Sequence, residues 1–167
     1  MKRYKNGLII MRAQPFHAGH QLLIRRMLAE CEKGIVLLGS VQECRTRRNP
    51  FTFEERKEMI NNVFDGKITP GRLEIGGLED INDYDRWATY VLTKVGYIPE
   101  VYYCGTAYDG ELFAAKGINT QIMDRKKMFA EEVSATRIRE ALEAGNPEWT
   151  KYIDPKNQVL IQQKDLY

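Results

Sequence analysis

The chain has 167 residues, a length that one domain with a substantial core fills comfortably, and no shift in composition divides it. Its formal charge of +2 is small, and basic residues are interspersed with acidic ones, which argues against a dedicated nucleic-acid binder. No apolar run approaches the roughly 20 residues needed to span a bilayer, and no signal-peptide core follows Met1-Lys2-Arg3, so no membrane association and a cytoplasmic location are expected.

The apolar run Leu8 to Met11 reads as a first strand, ending in a polar turn with Arg12, Gln14 and Pro15. His17-Ala18-Gly19-His20 then opens a helix in which Leu23, Ile24, Met27, Leu28 and Cys31 recur at three- and four-residue steps. Gly34 is expected to close it. Ile35 to Leu38 form an uninterrupted apolar strand of the kind covered on both faces, ending at Gly39-Ser40. Val41 to Pro50 is a polar loop bearing Arg45, Arg47 and Arg48. Thr52 and Glu55 make a capping-box pattern, so a helix should begin near Phe53 and turn Met59, Ile60, Val63 and Phe64 inward. Pro70 and Gly71 precede a third strand, Leu73 to Ile75.

Asp80 to Asp83 lead into a helix with Trp87, Tyr90, Val91 and Val95 on one face, stopped by Gly96 and Pro99. Val101 to Cys104 is a fourth strand, with Gly105 at its carboxyl end. A short helix around Glu111 to Lys116 and a weaker fifth strand, Asn119 to Met123, follow. Lys126 and Lys127 fall in a polar connection, and Ser134 is placed to cap a helix holding Ile138 and Leu142. A helical tail runs from about residue 147 to Tyr167, within a single domain spanning 1–167. Strands alternating with helices predict an α/β fold, a Rossmann-like doubly wound parallel sheet of about five strands with helices on both faces. Ligands of such sheets bind outside the strand carboxyl ends, where the strand order reverses.

The chemistry-bearing residues fall at those ends. His17 and His20 are the chain's two histidines, and both sit at the start of a helix, where unpaired backbone N–H groups favour an anion. Gly19 between them lets the backbone approach a phosphate. As zinc ligands they are poorly placed, since no third His or Cys accompanies them. The fork of the Arg12 guanidinium suits phosphate oxygens at the same spot. Cys31, Cys44 and Cys104 are widely spaced with no CxxC pair, so reduced structural thiols are expected rather than a disulfide framework.

The stretch Arg12-x-Gln14-Pro15-Phe16-His17-x-Gly19-His20 resembles the HxGH signature of the nucleotidyltransferase superfamily and, in its fuller wording, nicotinamide mononucleotide (NMN) adenylyltransferases of the archaeal type. HxGH alone also fits other adenylyl- and cytidylyltransferases and class I aminoacyl-tRNA synthetases. Further stretches resemble the family in the same order: Gly39-Ser40 with a basic loop leading to Asn49-Pro50-Phe51-Thr52 and Glu55-Arg56, then Asp80-Ile81-Asn82 with Trp87, then Ser134-x-Thr136-x-x-Arg139. The resemblance implies adenylyl transfer from ATP to NMN, giving NAD and pyrophosphate. It implies catalytic roles for His17, His20, Arg12 and Arg139, and an ATP site of Gln14, Gly19, Gly39, Gly105, Ser134, Thr136 and Arg139. Asp80, Ile81, Asn82, Trp87 and Arg47 would hold NMN, the indole giving the pyridinium a flat face. Either Arg47 or Arg48 would touch a phosphate. Magnesium is expected to accompany ATP, with no metal held by the protein itself, and the chain to form a homo-oligomer. Met11, Ala13, Glu79 and Arg137 depart from the family pattern and bear on affinity and acceptor preference. Other acceptors on the same fold, such as nicotinate mononucleotide or phosphopantetheine, and a non-catalytic nucleotide sensor are the competing readings.

Overall fold

The computed structural model describes residues 1–124 and 133–164. Its sheet has five parallel strands: β1 (Tyr4–Met11), β2 (Cys31–Leu38), β3 (Leu73–Gly77), β4 (Val101–Cys104) and β5 (Asn119–Ile122). Between and after them run α1 (Ala18–Glu30), α2 (Phe53–Phe64), α3 (Tyr84–Val95), α4 (Ala107–Ala114), α5 (Ala135–Glu143), a 3₁₀ helix (Pro147–Tyr152) and α6 (Pro155–Gln162). The strand order is β3-β2-β1-β4-β5, so the winding direction reverses between β1 and β4. This is the expected doubly wound α/β architecture.

Strand side chains alternate between faces, and the core divides accordingly. Ile9, Met11, Val36, Leu38, Val101 and Tyr103 face α1, α2, α5 and the carboxyl-terminal helices, meeting Ile24, Met27, Met59, Ile60, Ile138 and Leu160. Leu8, Ile35, Leu37, Tyr102 and Cys104 face α3 and α4, meeting Ala88, Val91, Val95 and Phe113. Both faces are thus dry, which is why β2 reads as a continuous apolar run. Among the described residues no helix is long and apolar enough to cross a membrane.

Several boundaries differ from expectation for identifiable reasons. Gly34 does not end α1, which stops at Glu30; it lies within β2, in register with Gly7 of β1. A Cβ at Gly34 would meet the Met27 Sδ at 2.8 Å, and one at Gly7 would meet the Cys31 Sγ at 2.7 Å. The two glycines therefore let α1 settle close to the sheet. With no linker before β2, the end carbonyls of α1 are satisfied from elsewhere: Lys2 Nζ donates to Leu28 O at 2.7 Å and Ala29 O at 2.9 Å, and Arg72 Nη2 donates to Leu28 O at 2.7 Å. α4 begins at Ala107, earlier than expected, because the Thr106 hydroxyl caps it by accepting the Asp109 N–H. The tail is not one helix; Asp154-Pro155 divides a 3₁₀ turn from α6, since proline supplies no N–H to continue the first segment. Lys126 and Lys127, placed in a polar connection by their sequence, and residues 165–167 lie outside the described residues. Two cysteines are buried as structural thiols, whereas Cys44 is exposed on the basic loop.

Gly34→Ala should destabilise the chain by about 1–3 kcal/mol in urea unfolding, the usual cost of overpacking. Combined with Met27→Ala it should cost less than the sum of the two single changes, because the obstructing side chain is then gone.

Candidate active site

The first turn of α1 is built from its own histidines. His17 is the N-cap, and its Nδ1 accepts the Gly19 N–H at 3.1 Å; His20 Nδ1 in turn accepts the His17 N–H at 3.3 Å. A backbone N–H can only donate, so each Nδ1 presents a lone pair and the ring proton resides on Nε2. The rings stack at a centroid distance of 3.8 Å, and the Phe16 ring also stacks on His20 at 5.8 Å. Helix capping thereby orients two imidazole N–H donors side by side.

Both histidines line a cavity of about 560 Å³ at the β1/β4 reversal. Arg12, Gln14, His17, Gly19 and His20 line it from the β1–α1 turn, Gly39 and Ser40 from the end of β2, Gly105 from the end of β4, and Ser134, Thr136 and Arg139 from α5. A Cβ at Gly39 would meet nothing within 4 Å, so no neighbouring side chain demands glycine there; the space belongs to the cavity. Ser134 is the N-cap of α5 by position, but its hydroxyl makes no capping hydrogen bond, contrary to the expected role. Arg139 Nη1 donates to Gln14 O at 2.7 Å, which ties α5 to the β1–α1 turn across the cavity. Two helix N-termini, of α1 and α5, converge on one space, and both favour negative charge. Arg12 and Arg48 also line it, and among the described residues neither guanidinium has a hydrogen-bonded or ion-paired side-chain partner.

Asp80 and Trp87 lie on the cavity's rim and also line an adjoining hollow with Ile81 and Asn82. Trp87 is half-buried, at the edge of the α3 core rather than within it. Asp80 is held by Gln42, whose Nε2 donates to Asp80 Oδ2 at 3.1 Å. Arg47 does not line the main cavity. It forms a two-pronged pair with Glu143 at 2.8 Å, joining the basic loop to the end of α5 and holding the Glu143 carboxyl below its usual range. Arg48, the alternative, lines the main cavity and both neighbouring hollows. Arg137 is exposed and lines none of them.

Three side chains that organise the walls were not expected to do so. The Gln14 amide clasps the Phe51 backbone, donating to its O and accepting from its N–H at 2.9 Å each, which fastens the β1–α1 turn to the segment before α2. Glu55, beyond closing the capping box with Thr52, receives Arg45 Nη1 at 2.8 Å and pairs with Lys164 at 3.2 Å. Burial pushes its carboxyl up, but Arg45, the Thr52 N–H and Lys164 together bring it down to about 2. Arg56, fully buried, donates from Nη1 to Arg12 O at 2.7 Å and Gly39 O at 2.8 Å. Its signal was present: Arg56 stands three, four and seven residues before Met59, Ile60 and Val63, on the inward stripe of α2. Backbone strain gathers here as well, with positive φ at Ala13 (52°), Ser40 (53°), Arg45 (56°) and Asn82 (50°), all in loops at strand carboxyl ends.

A doubly wound sheet whose HxGH turn shares its reversal point with a second, serine- and arginine-bearing helix start defines a nucleotidyltransferase. Residues 12–75 match the cytidylyltransferase-like family model. The nicotinamide-nucleotide adenylyltransferase of Thermococcus kodakarensis is 34% identical over 151 residues, covering 89% of this chain and 78% of that protein. That of Thermococcus onnurineus is 32% identical over 154 residues, covering 92% and 79%. In fold the chain is similar to a bifunctional NMN adenylyltransferase/ADP ribose pyrophosphatase from Francisella tularensis, with a TM-score of 0.77 at 22% identity; the match covers 98% of this chain and 51% of that one, so this chain spans about half its length. The chain belongs to the nicotinamide-nucleotide adenylyltransferase family.

Because the Glu55 carboxyl titrates at about 2 when folded, against an ordinary value of 4.5, the unfolded chain binds more protons between those limits. The stabilisation from Glu55 is therefore complete above pH 4.5 and should fade as the pH falls toward 2. Unfolding of Glu55→Gln, followed across that range, should show a flatter pH dependence than wild type, the difference at neutral pH being at most about 3 kcal/mol.

Proposed function

We propose that this chain transfers the adenylyl group of ATP to NMN, forming NAD and pyrophosphate. The observation that carries the reading is the convergence at one strand reversal of His17 and His20, two helix N-termini and the three arginines Arg12, Arg48 and Arg139. A phosphate oxygen of NMN attacks the α-phosphorus of ATP in line. The bond to the β-phosphate bridging oxygen breaks, and its electron pair leaves with pyrophosphate. No enzyme group need become covalently attached, since such transfers are served by positioning and by neutralising charge. His20, oriented by its hydrogen bond from the His17 N–H, donates to the α-phosphate as charge builds there. His17, Arg12 and Arg139 hold the remaining phosphate oxygens, Ser134 and Thr136 offer hydroxyls and helix-end N–H groups, and Arg48 takes the acceptor-side phosphate.

Among the described residues no group of three or more His, Cys, Asp or Glu side chains gathers to hold a metal ion. The divalent ion belongs to the substrate, as ATP complexed with magnesium, and supplies charge neutralisation for the leaving pyrophosphate. A structure of the Francisella protein contains AMP and manganese. NMN is the acceptor because Trp87 sits on the rim, offering the electron-poor pyridinium an indole face, beside Asp80, Ile81 and Asn82. Residues 1–167 act as a single catalytic domain.

The direct test is ATP plus NMN, with NAD detected through an alcohol dehydrogenase. Pyrophosphate release with nicotinate mononucleotide or phosphopantetheine but not NMN would move the chain to another acceptor, and binding of both nucleotides without NAD would make it a sensor. His20→Ala should lower kcat by about 10²–10³, the loss typical for one preorganised donor to a developing oxyanion; a folded variant turning over within a few-fold of wild type would remove His20 from the chemistry. In Trp87→Ala, calorimetric titration should find NMN binding weakened and ATP binding retained, whereas equal loss of both would assign the indole to packing.

A further inference from the structure

Arg56 is the largest of the fully buried side chains among the described residues, and it does not line the cavity. It lies one layer below. Its Nη1 is shared between Arg12 O, at the end of β1, and Gly39 O, at the end of β2, and its Nε reaches Thr52 O at 3.3 Å. Nη2 is buried with no hydrogen-bond partner among the described residues. Among the described residues every acceptor is a carbonyl, and no carboxylate pairs with the guanidinium. Burial and the neighbouring Arg12 lower its pKa to about 10, while Asp80 acts in the opposite direction, so it stays charged at neutral pH.

A buried cation without a paired anion is costly, and a fold commonly avoids it. Here it sits directly beneath two of the cavity's walls. The Nη1 carbonyl partners belong to Arg12, which lines the cavity, and to the glycine that leaves room there. We propose that Arg56 is a positioning residue of the nucleotide site: it fixes the strand ends that carry Arg12 and Gly39, and it supplies from below a positive charge that a bound polyphosphate balances. The proposal rests on reading the cavity as the ATP site. It explains why an arginine occupies the apolar stripe of α2, where Met59, Ile60 and Val63 otherwise suffice.

Thermal melts and calorimetric titration with ATP on wild type, Arg56→Met and Arg56→Lys distinguish this from a packing role. Arg56→Met, which leaves the Arg12, Gly39 and Thr52 carbonyls without their donor, should melt below wild type without nucleotide and, once folded, should bind ATP about tenfold or more weakly. Its melting temperature should also rise less on adding ATP. Arg56→Lys, which keeps the charge, should recover ATP affinity to within about threefold of wild type. If Arg56→Met does not fold, Arg56→Gln takes its place in the same comparison. A folded neutral variant that binds ATP like wild type, or a lysine variant as weak as the neutral one, overturns the inference. Failure of wild type itself to bind ATP would instead overturn the reading of the site on which it rests.

Discussion

Two imidazoles accept hydrogen bonds from the backbone of the turn that carries them, and that reciprocity sets the state of the whole cleft. Gly19 N–H to His17 Nδ1 and His17 N–H to His20 Nδ1 satisfy the first turn of α1, fix both tautomers and bring the rings to a stacking distance of 3.8 Å. Two charged rings so close would repel, whereas two neutral rings bearing Nε2 protons stack without penalty. Helix capping and substrate recognition are therefore the same set of bonds. Each ring is also the other's stacking partner.

Around this turn the walls are held by bonds between loops and strand ends. Gln14 fastens the β1 end to Phe51, Arg56 fastens it to Gly39, Arg139 links it to α5, and Arg47 links the basic loop to Glu143. Each bond crosses between segments far apart in the chain. Four non-glycine residues with positive φ lie in the same loops, which are thus held in uncommon conformations by bonds made elsewhere.

The sheet, its two buried faces and the approximate strand limits were legible because each depends on periodicity and burial, which local composition carries. The HxGH turn, the capping box at Thr52 and the serine-bearing helix start were legible as short motifs. Gly34 was misplaced because glycine ends helices and also admits close packing, and only the facing Met27 distinguishes the two uses. The position of Ser134 fits a cap, though its hydroxyl makes no such bond. The partners of Gln14, Glu55 and Arg56 depend on contacts 10 to 109 residues away in sequence, which no local pattern encodes. The pairing of Arg47 with Glu143, 96 residues on, is equally beyond the reach of local pattern.

The direct passage from α1 into β2 has a further meaning. Its thirteen residues, at 1.5 Å each, make a rod of about 20 Å whose far end is gripped by Lys2 and Arg72. With no slack at Cys31, the rod acts as a gauge, and the residue count between His17 and Cys31 sets both the height and the azimuth of the imidazoles over the sheet. One residue more or fewer would turn that end by about 100°. The loops at the opposite edge have no such constraint on their length, so variation in chain length can reshape what surrounds the phosphates while the donors themselves stay where the gauge puts them.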